Sequence, residues 1–180
     1  EEALKISWRV VGEHKDTAHK LYNKAVLLEG KLGRPAEAVD SYEEALRLYL
    51  KTLGPHKNTA GTHEALAHCL EKKLNKSQQA LSHYEQAVEM YDSVLGDHFV
   101  TGSTMYNLAM LLKNKLAQPE RAVEYFERAL AKYRACLGEH KNTADCLEQL
   151  AILREEQLSR PQEALEKHEE ALNIYRQCLG

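Results

Sequence analysis

The chain contains no uninterrupted apolar run close to the roughly 20 residues that a membrane-spanning helix needs, and no charged-then-apolar leader is visible. Nothing targeting or anchoring the chain is therefore expected. Only 4 prolines and 9 glycines occur in 180 residues, which excludes collagen-like and low-complexity classes and fits a helical protein. A basic excess is also missing. The formal net charge of −3 argues against nucleic acid, because phosphate binding needs a basic surface. The four cysteines, Cys69, Cys136, Cys146 and Cys178, fit no disulfide or metal-ligand spacing, which points to a reducing, cytoplasmic location.

What the chain does have is a period. Gly12, Gly54, Gly96, Gly138 and Gly180 stand 42 residues apart, and four of them open related phrases: VGEHKDTA, LGPHKNTA, LGDHFVTG and LGEHKNTA. Other invariant positions keep the same register: His14/56/98/140, Thr17/59/101/143, Ala38/80/122/164, Ala45/87/129/171 and Tyr49/91/133/175. A fixed interval of this size is the signature of a solenoid. The spacing predicts repeats over 13–54, 55–96, 97–138 and 139–180 in one continuous array. Residues 1–12 align with 169–180 and are expected to form the end of a preceding repeat's second helix, as in a fragment of a longer protein.

Each unit reads as two amphipathic helices. Met105, Leu108, Ala109, Leu112 and Leu116 form one stripe at helical spacing, and Ala122, Val123, Phe126, Ala129, Leu130 and Tyr133 form the next. The first helix is expected over about 17–32 with Thr17 and its equivalents as N-caps, and the second over about 36–52. Pro35, Pro119 and Pro161 suit the first turn of the second helix, where no backbone donor is needed.

The spacing Met105, Leu108, Ala109, Leu112, then Ala122, Phe126, Ala129 resembles the tetratricopeptide repeat, and the match covers the whole chain. The 42-residue unit with an LGxH boundary is similar to kinesin light chain and nephrocystin-like arrays, although the Pro that usually follows that His is absent here. The resemblance implies an all-α fold, a right-handed α-α superhelix of antiparallel helix pairs whose first helices line a concave groove. It also implies a protein-binding module with a scaffold or adaptor role. The alternative is a sensor array regulating a nucleotidase domain that lies outside these residues. No enzymatic activity, cofactor, metal, nucleic-acid or membrane partner is expected.

Carrying the inward-facing positions over gives Tyr22, Val26, Glu29, Glu64, His68, Glu71, Tyr106, Met110, Lys113, Glu148, Ile152 and Glu155 as peptide-binding candidates. With their neighbours these positions sum to −5, so the expected ligand is basic or mixed basic and apolar. The boundary histidines are expected to order loops, since stacked helix pairs hold equivalent atoms too far apart to share a zinc. His63, His68 and Cys69 spread around one helix and are not expected to bind metal. Lys24, Arg154 and His168 stand where other repeats carry Leu, Leu and Tyr or Phe, and are expected to lay their stems on apolar surface and reach water. Uncovered ends predict possible head-to-tail self-contacts.

Overall fold

The computed structural model describes residues 14–179, so the expected terminal helix over 1–12 lies outside the described residues. These residues form helices α1 (Lys15–Gly30), α2 (Pro35–Leu53), α3 (Lys57–Lys72), α4 (Ser77–Leu95), α5 (Phe99–Asn114), α6 (Pro119–Leu137), α7 (Lys141–Glu156) and α8 (Pro161–Leu179). No strand occurs among the described residues. First helices begin 42 residues apart, as do second helices, and the bounds differ by at most two residues from the expected ones. The chain is an all-α helical-repeat fold. It divides into two compact units, one up to Val94 and one from Leu95.

The helix starts correct one expectation. His14, His56, His98 and His140 are the N-caps, in extended conformation, with Nδ1 accepting from the amides of Asp16, Asn58, Val100 and Asn142 at 3.4, 3.1, 3.2 and 3.2 Å. Nδ1 sits as many bonds from Cα as the Oδ1 of Asn, so imidazole reaches the same first-turn amide. To accept there it must carry its proton on Nε2. The threonines lie three residues further on and are fully buried. Thr59 and Thr143 donate backward to the carbonyls of Gly54 and Gly138 at 2.8 and 2.7 Å, which ties the preceding turn to the helix.

The ends of the helices are set by left-handed residues. Gly54, Gly96 and Gly138 have φ of 62°, 61° and 63°, a conformation glycine adopts without the Cβ penalty. The link between the two helices of each repeat also needs one left-handed residue, and it is Gly33, Asn75, Ala117 and Ser159 in turn. Pro35 and Pro119 occupy the first turns of α2 and α6, and α8 begins at Pro161.

Within unit 1, α1 packs on α2 and α2 on α3; within unit 2, α5 packs on α6, α6 on α7 and α7 on α8. Small residues make the close approaches: Ala38, Ala45, Ala80, Ala87, Ala122 and Ala129 are fully buried, and Tyr42, Tyr84 and Phe126 fill the space beside them. Each element buries its stripe against its neighbours, so stability accumulates along the repeats. Arg154 departs from its expected behaviour. Its side chain is only 12% exposed and is held by Glu127 at 2.6 Å and Glu163 at 3.4 Å. Two carboxylates compensate a charge that would otherwise be costly to bury at a leucine position.

Candidate functional site

In unit 1 the candidate face is carried by α1 and α3. Tyr22 is half-buried and meets Tyr42 edge-on, with ring centroids 5.5 Å apart at 64°. Val26 is exposed. The three candidate glutamates on this face are committed to phenols of the second helices. Tyr42 donates to Glu29 at 3.1 Å, Tyr84 to Glu71 at 3.3 Å and Tyr91 to Glu64 at 3.3 Å. Burial first, and the adjoining carboxylates second, raise all three phenol pKa values. Glu71 is only 5% exposed and also accepts from Lys72 at 2.5 Å. His68 is exposed and turns its Nδ1 to Glu29 at 3.3 Å.

The remaining members of the α3 cluster diverge. Cys69 is buried with its thiol toward the Pro35 carbonyl at 3.7 Å, and burial pushes its pKa up to about 11. His63 pairs with His83 on α4, Nδ1 to Nδ1, at 3.0 Å. Among the described residues no group of three or more His, Cys, Asp or Glu is placed to hold a metal.

In unit 2 the candidate face is carried by α5 and α7. Tyr106 meets Phe126 edge-on at 5.4 Å and 71°, repeating the Tyr22–Tyr42 contact, and Met110 and Ile152 are half-buried. Lys113 occupies the position of Glu29 and Glu71 but is only 8% exposed, with its ammonium donating to Gln149 at 3.1 Å. Burial pushes its pKa down, and Glu156 partly opposes that. His168 does not reach out to water alone. Its Nδ1 lies 3.0 Å from Glu148 and its Nε2 3.9 Å from Glu155, so one imidazole sits between two candidate carboxylates. Asp145 accepts from Tyr175 at 2.5 Å and from Lys141 at 2.7 Å.

Each unit carries a cleft on this face. One of about 200 Å³ is lined by His19, Tyr22, Tyr49, Lys57, Asn58, Gly61 and Thr62. The other, of about 230 Å³, is lined by Ser103, Tyr106, Asn107, Tyr133, Asn142 and Asp145. Tyr22, Tyr49, Asn58 and Gly61 correspond to Tyr106, Tyr133, Asn142 and Asp145, each 84 residues on, so the clefts are the same feature twice. Tyr22 and Tyr106 were expected here; Tyr49, Tyr133, Asn58 and Asn142 were not. Their signal was present in the invariant tyrosine of every repeat, which was read only as core of the second helix. The two tyrosine hydroxyls are partnered differently: Tyr49 lies 3.4 Å from His19 Nδ1, and Tyr133 bonds Ser103.

The model of the tetratricopeptide repeat matches residues 16–93 and 94–177. Among solved structures, a putative kinesin light chain from Podosopora anserina with nearly identical TPR-like repeats is 22% identical, with a TM-score of 0.80 over 98% of this chain and 83% of that one. BtubC (BKLC) from P. vanneervenii is 23% identical, with a TM-score of 0.73 over 98% of this chain and 69% of that one. Likeness at that identity speaks for the fold alone. No curated protein matches in sequence. No helix among the described residues is long and apolar enough to cross a membrane. Alanine-lined helix pairs, an aromatic at a fixed position between them and a family model matching both halves place the chain in the tetratricopeptide repeat family.

Proposed function

We propose that the chain is a protein-interaction module in which the inner faces of the two units bind an extended or helical segment of a partner protein, giving it a scaffold or adaptor role. The observation that carries this reading is the repeated cleft: the half-buried Tyr22 and Tyr106, over the buried Tyr49 and Tyr133, stand with Asn58 and Asn142 in the same place in both units. Aromatic rings supply contact area at low entropic cost, and asparagine side chains can both donate to and accept from a peptide backbone.

On unit 2 the ligand is a cationic and apolar segment. Glu155 and Glu156 are exposed, Glu148 is half-exposed, and Tyr106, Met110 and Ile152 offer apolar surface beside them. A carboxylate already accepting one hydrogen bond retains lone pairs for a ligand's Lys or Arg, so the contact from His168 leaves Glu148 able to take part. A peptide array tests this with basic amphipathic, acidic tryptophan-containing and C-terminal carboxylate peptides at two salt concentrations. The expected result is salt-sensitive binding of the basic set, lost when Glu148→Lys and Glu155→Lys are combined, and weaker and less salt-sensitive when both are changed to Gln. Equal binding of basic peptides by the charge-reversed protein would overturn the cationic assignment.

A further inference from the structure

Resting on the peptide-binding reading, one difference between the two clefts assigns them different specificities. The position that is Gly61 in unit 1 is Asp145 in unit 2. Asp145 lies one helical turn after Lys141 and holds its ammonium at 2.7 Å, so that lysine is paired within its own helix and does not line the unit 2 cleft. Lys57 is the counterpart of Lys141, and Gly61 offers it no carboxylate. Lys57 therefore lines the unit 1 cleft with its charge unspent, and no carboxylate lines that cleft.

The other polar groups there favour the same sign of ligand. Asn58 brings an amide with two donors and Tyr22 a phenol; the Thr62 hydroxyl is already donated to the Asn58 carbonyl at 2.8 Å. His19 is engaged with the Tyr49 hydroxyl. Charged groups near the cleft are Glu29 and Glu64, which act on Tyr22, and Asp16, which acts on Tyr49. None of the three lines the cleft, and Glu29 and Glu64 accept from Tyr42 and Tyr91. The missing Cβ at 61 also gives Tyr91 room, since one added there would stand 3.1 Å from the Tyr91 hydroxyl.

We propose that the unit 1 cleft is a subsite for an acidic side chain, Asp or Glu, of the bound peptide, held by Lys57 and Asn58 over the Tyr22 and Tyr49 rings, while its unit 2 counterpart takes no anion. Gly61 is what makes the difference, because it leaves Lys57 without an internal partner.

The test pans a random peptide library displayed on phage against the wild-type protein, Lys57→Glu and Gly61→Asp. Helix content and melting temperature of each are followed by circular dichroism, and Lys57→Met serves as a variant at an exposed position that removes charge alone. Wild-type selections are expected to enrich peptides with an acidic residue at one fixed position. A synthetic peptide from that pool should bind about tenfold more weakly to Lys57→Met and to Gly61→Asp, the latter having been given the Lys141–Asp145 arrangement, and Lys57→Glu should select Lys or Arg at that position. Enrichment of peptides with no acidic position, or an acidic position that survives in Lys57→Glu, overturns the subsite and leaves peptide binding standing. No enrichment by the wild type overturns peptide binding itself, and the subsite with it.

Discussion

In unit 1, Tyr42 and Tyr84 hand their hydroxyls to Glu29 and Glu71; in unit 2 the same two repeat positions pair Phe126 with Lys113, and His168 with Glu148 and Glu155. At Phe126, where the ring has no polar edge, the facing position carries Lys113 instead of a carboxylate. A buried glutamate needs a donor, and Phe126 has none to give. The repeat thus demands a ring of a certain volume beside its alanines, and leaves the polar group at the ring's edge to be settled locally. The units also differ in their links: unit 1 places Gly33 and Asn75 in the left-handed region, unit 2 places Ala117 and Ser159 there. Asn tolerates that conformation by bonding locally, whereas Ala has no such compensation.

If ring volume is the shared requirement, its removal should give the largest effect. Phe126→Ala is expected to cost about 3–5 kcal/mol in urea unfolding, since the ring is fully buried and its surroundings are helix backbones that cannot collapse freely. A loss below about 1 kcal/mol would mean that the ring is not what holds this helix pair apart.

The next contrast is confined to unit 1. His63 is 2% exposed and shares a hydrogen bond with His83, while the corresponding pairs elsewhere are Leu21 with Ser41, Met105 with Tyr125 and Leu147 with Lys167. One Nδ1 donates and the other accepts, which requires the accepting ring to be neutral. Burial, with His83 adding to it, pushes the His63 pKa down to about 4 from 6.5, and burial lowers that of His83. Between those values the unfolded chain binds a proton that the folded one refuses. Stability is therefore fully present above about pH 6.5 and falls as pH drops toward 4, by about 3 kcal/mol for His63. Urea unfolding at pH 7 and pH 4.5 should show this loss in the wild type and a smaller one in His63→Leu combined with His83→Ser. The same loss in both proteins would place the acid sensitivity elsewhere.

The polar edge of the rings should matter less than the rings. Tyr84→Phe makes position 84 resemble 126 without supplying the matching change at 71, so the buried Glu71 loses a donor and retains Lys72. A cost of about 1–3 kcal/mol is expected, recovered in part by Glu71→Gln, which no longer buries a charge. If Tyr84→Phe is neutral, the covariation of 84 with 71 and of 126 with 113 has no energetic basis.

In the links the sign should reverse between units. Ala117→Gly is expected to raise stability by about 1 kcal/mol and Gly33→Ala to lower it by about as much, because only the first change relieves a left-handed Ala. Thermal unfolding of the two variants side by side decides it. Two stabilised or two destabilised proteins would show that link conformation is not what separates them.

Much of this fold was legible because the period is carried by residues whose job is local: glycine at a left-handed C-cap, proline at a first turn, alanine at a close approach. The site was less legible. Tyr42, Tyr84, Tyr91 and Tyr175 belong to second helices, and their hydroxyls reach first-helix carboxylates 13 to 30 residues away. Spacing along one helix face counts those carboxylates as free charge, since it cannot see a donor arriving from the neighbouring helix. The same blindness turned Thr into an expected cap: hydroxyl chemistry and the right neighbourhood were visible, but not that an imidazole three residues earlier would take the amide.

The threonines also give the smallest and most discriminating test. Thr59 and Thr143 donate to the glycine carbonyls that precede their helices, whereas the buried Thr101 hydroxyl has no hydrogen-bond partner. The chain before it reads LGDHFVTG where the others read LGPHKNTA and LGEHKNTA, and Phe99 at the first position of α5 packs against Tyr133 with centroids 5.9 Å apart. Valine has nearly the shape of threonine without the hydroxyl. Thr143→Val should therefore lose about 1 kcal/mol with its hydrogen bond, while Thr101→Val gives up no bond and removes a buried unsatisfied group, so it should be neutral or slightly stabilising. Equal losses at 101 and 143 in urea unfolding would mean that the threonine is kept for its shape alone and that the turn is not held by its hydroxyl.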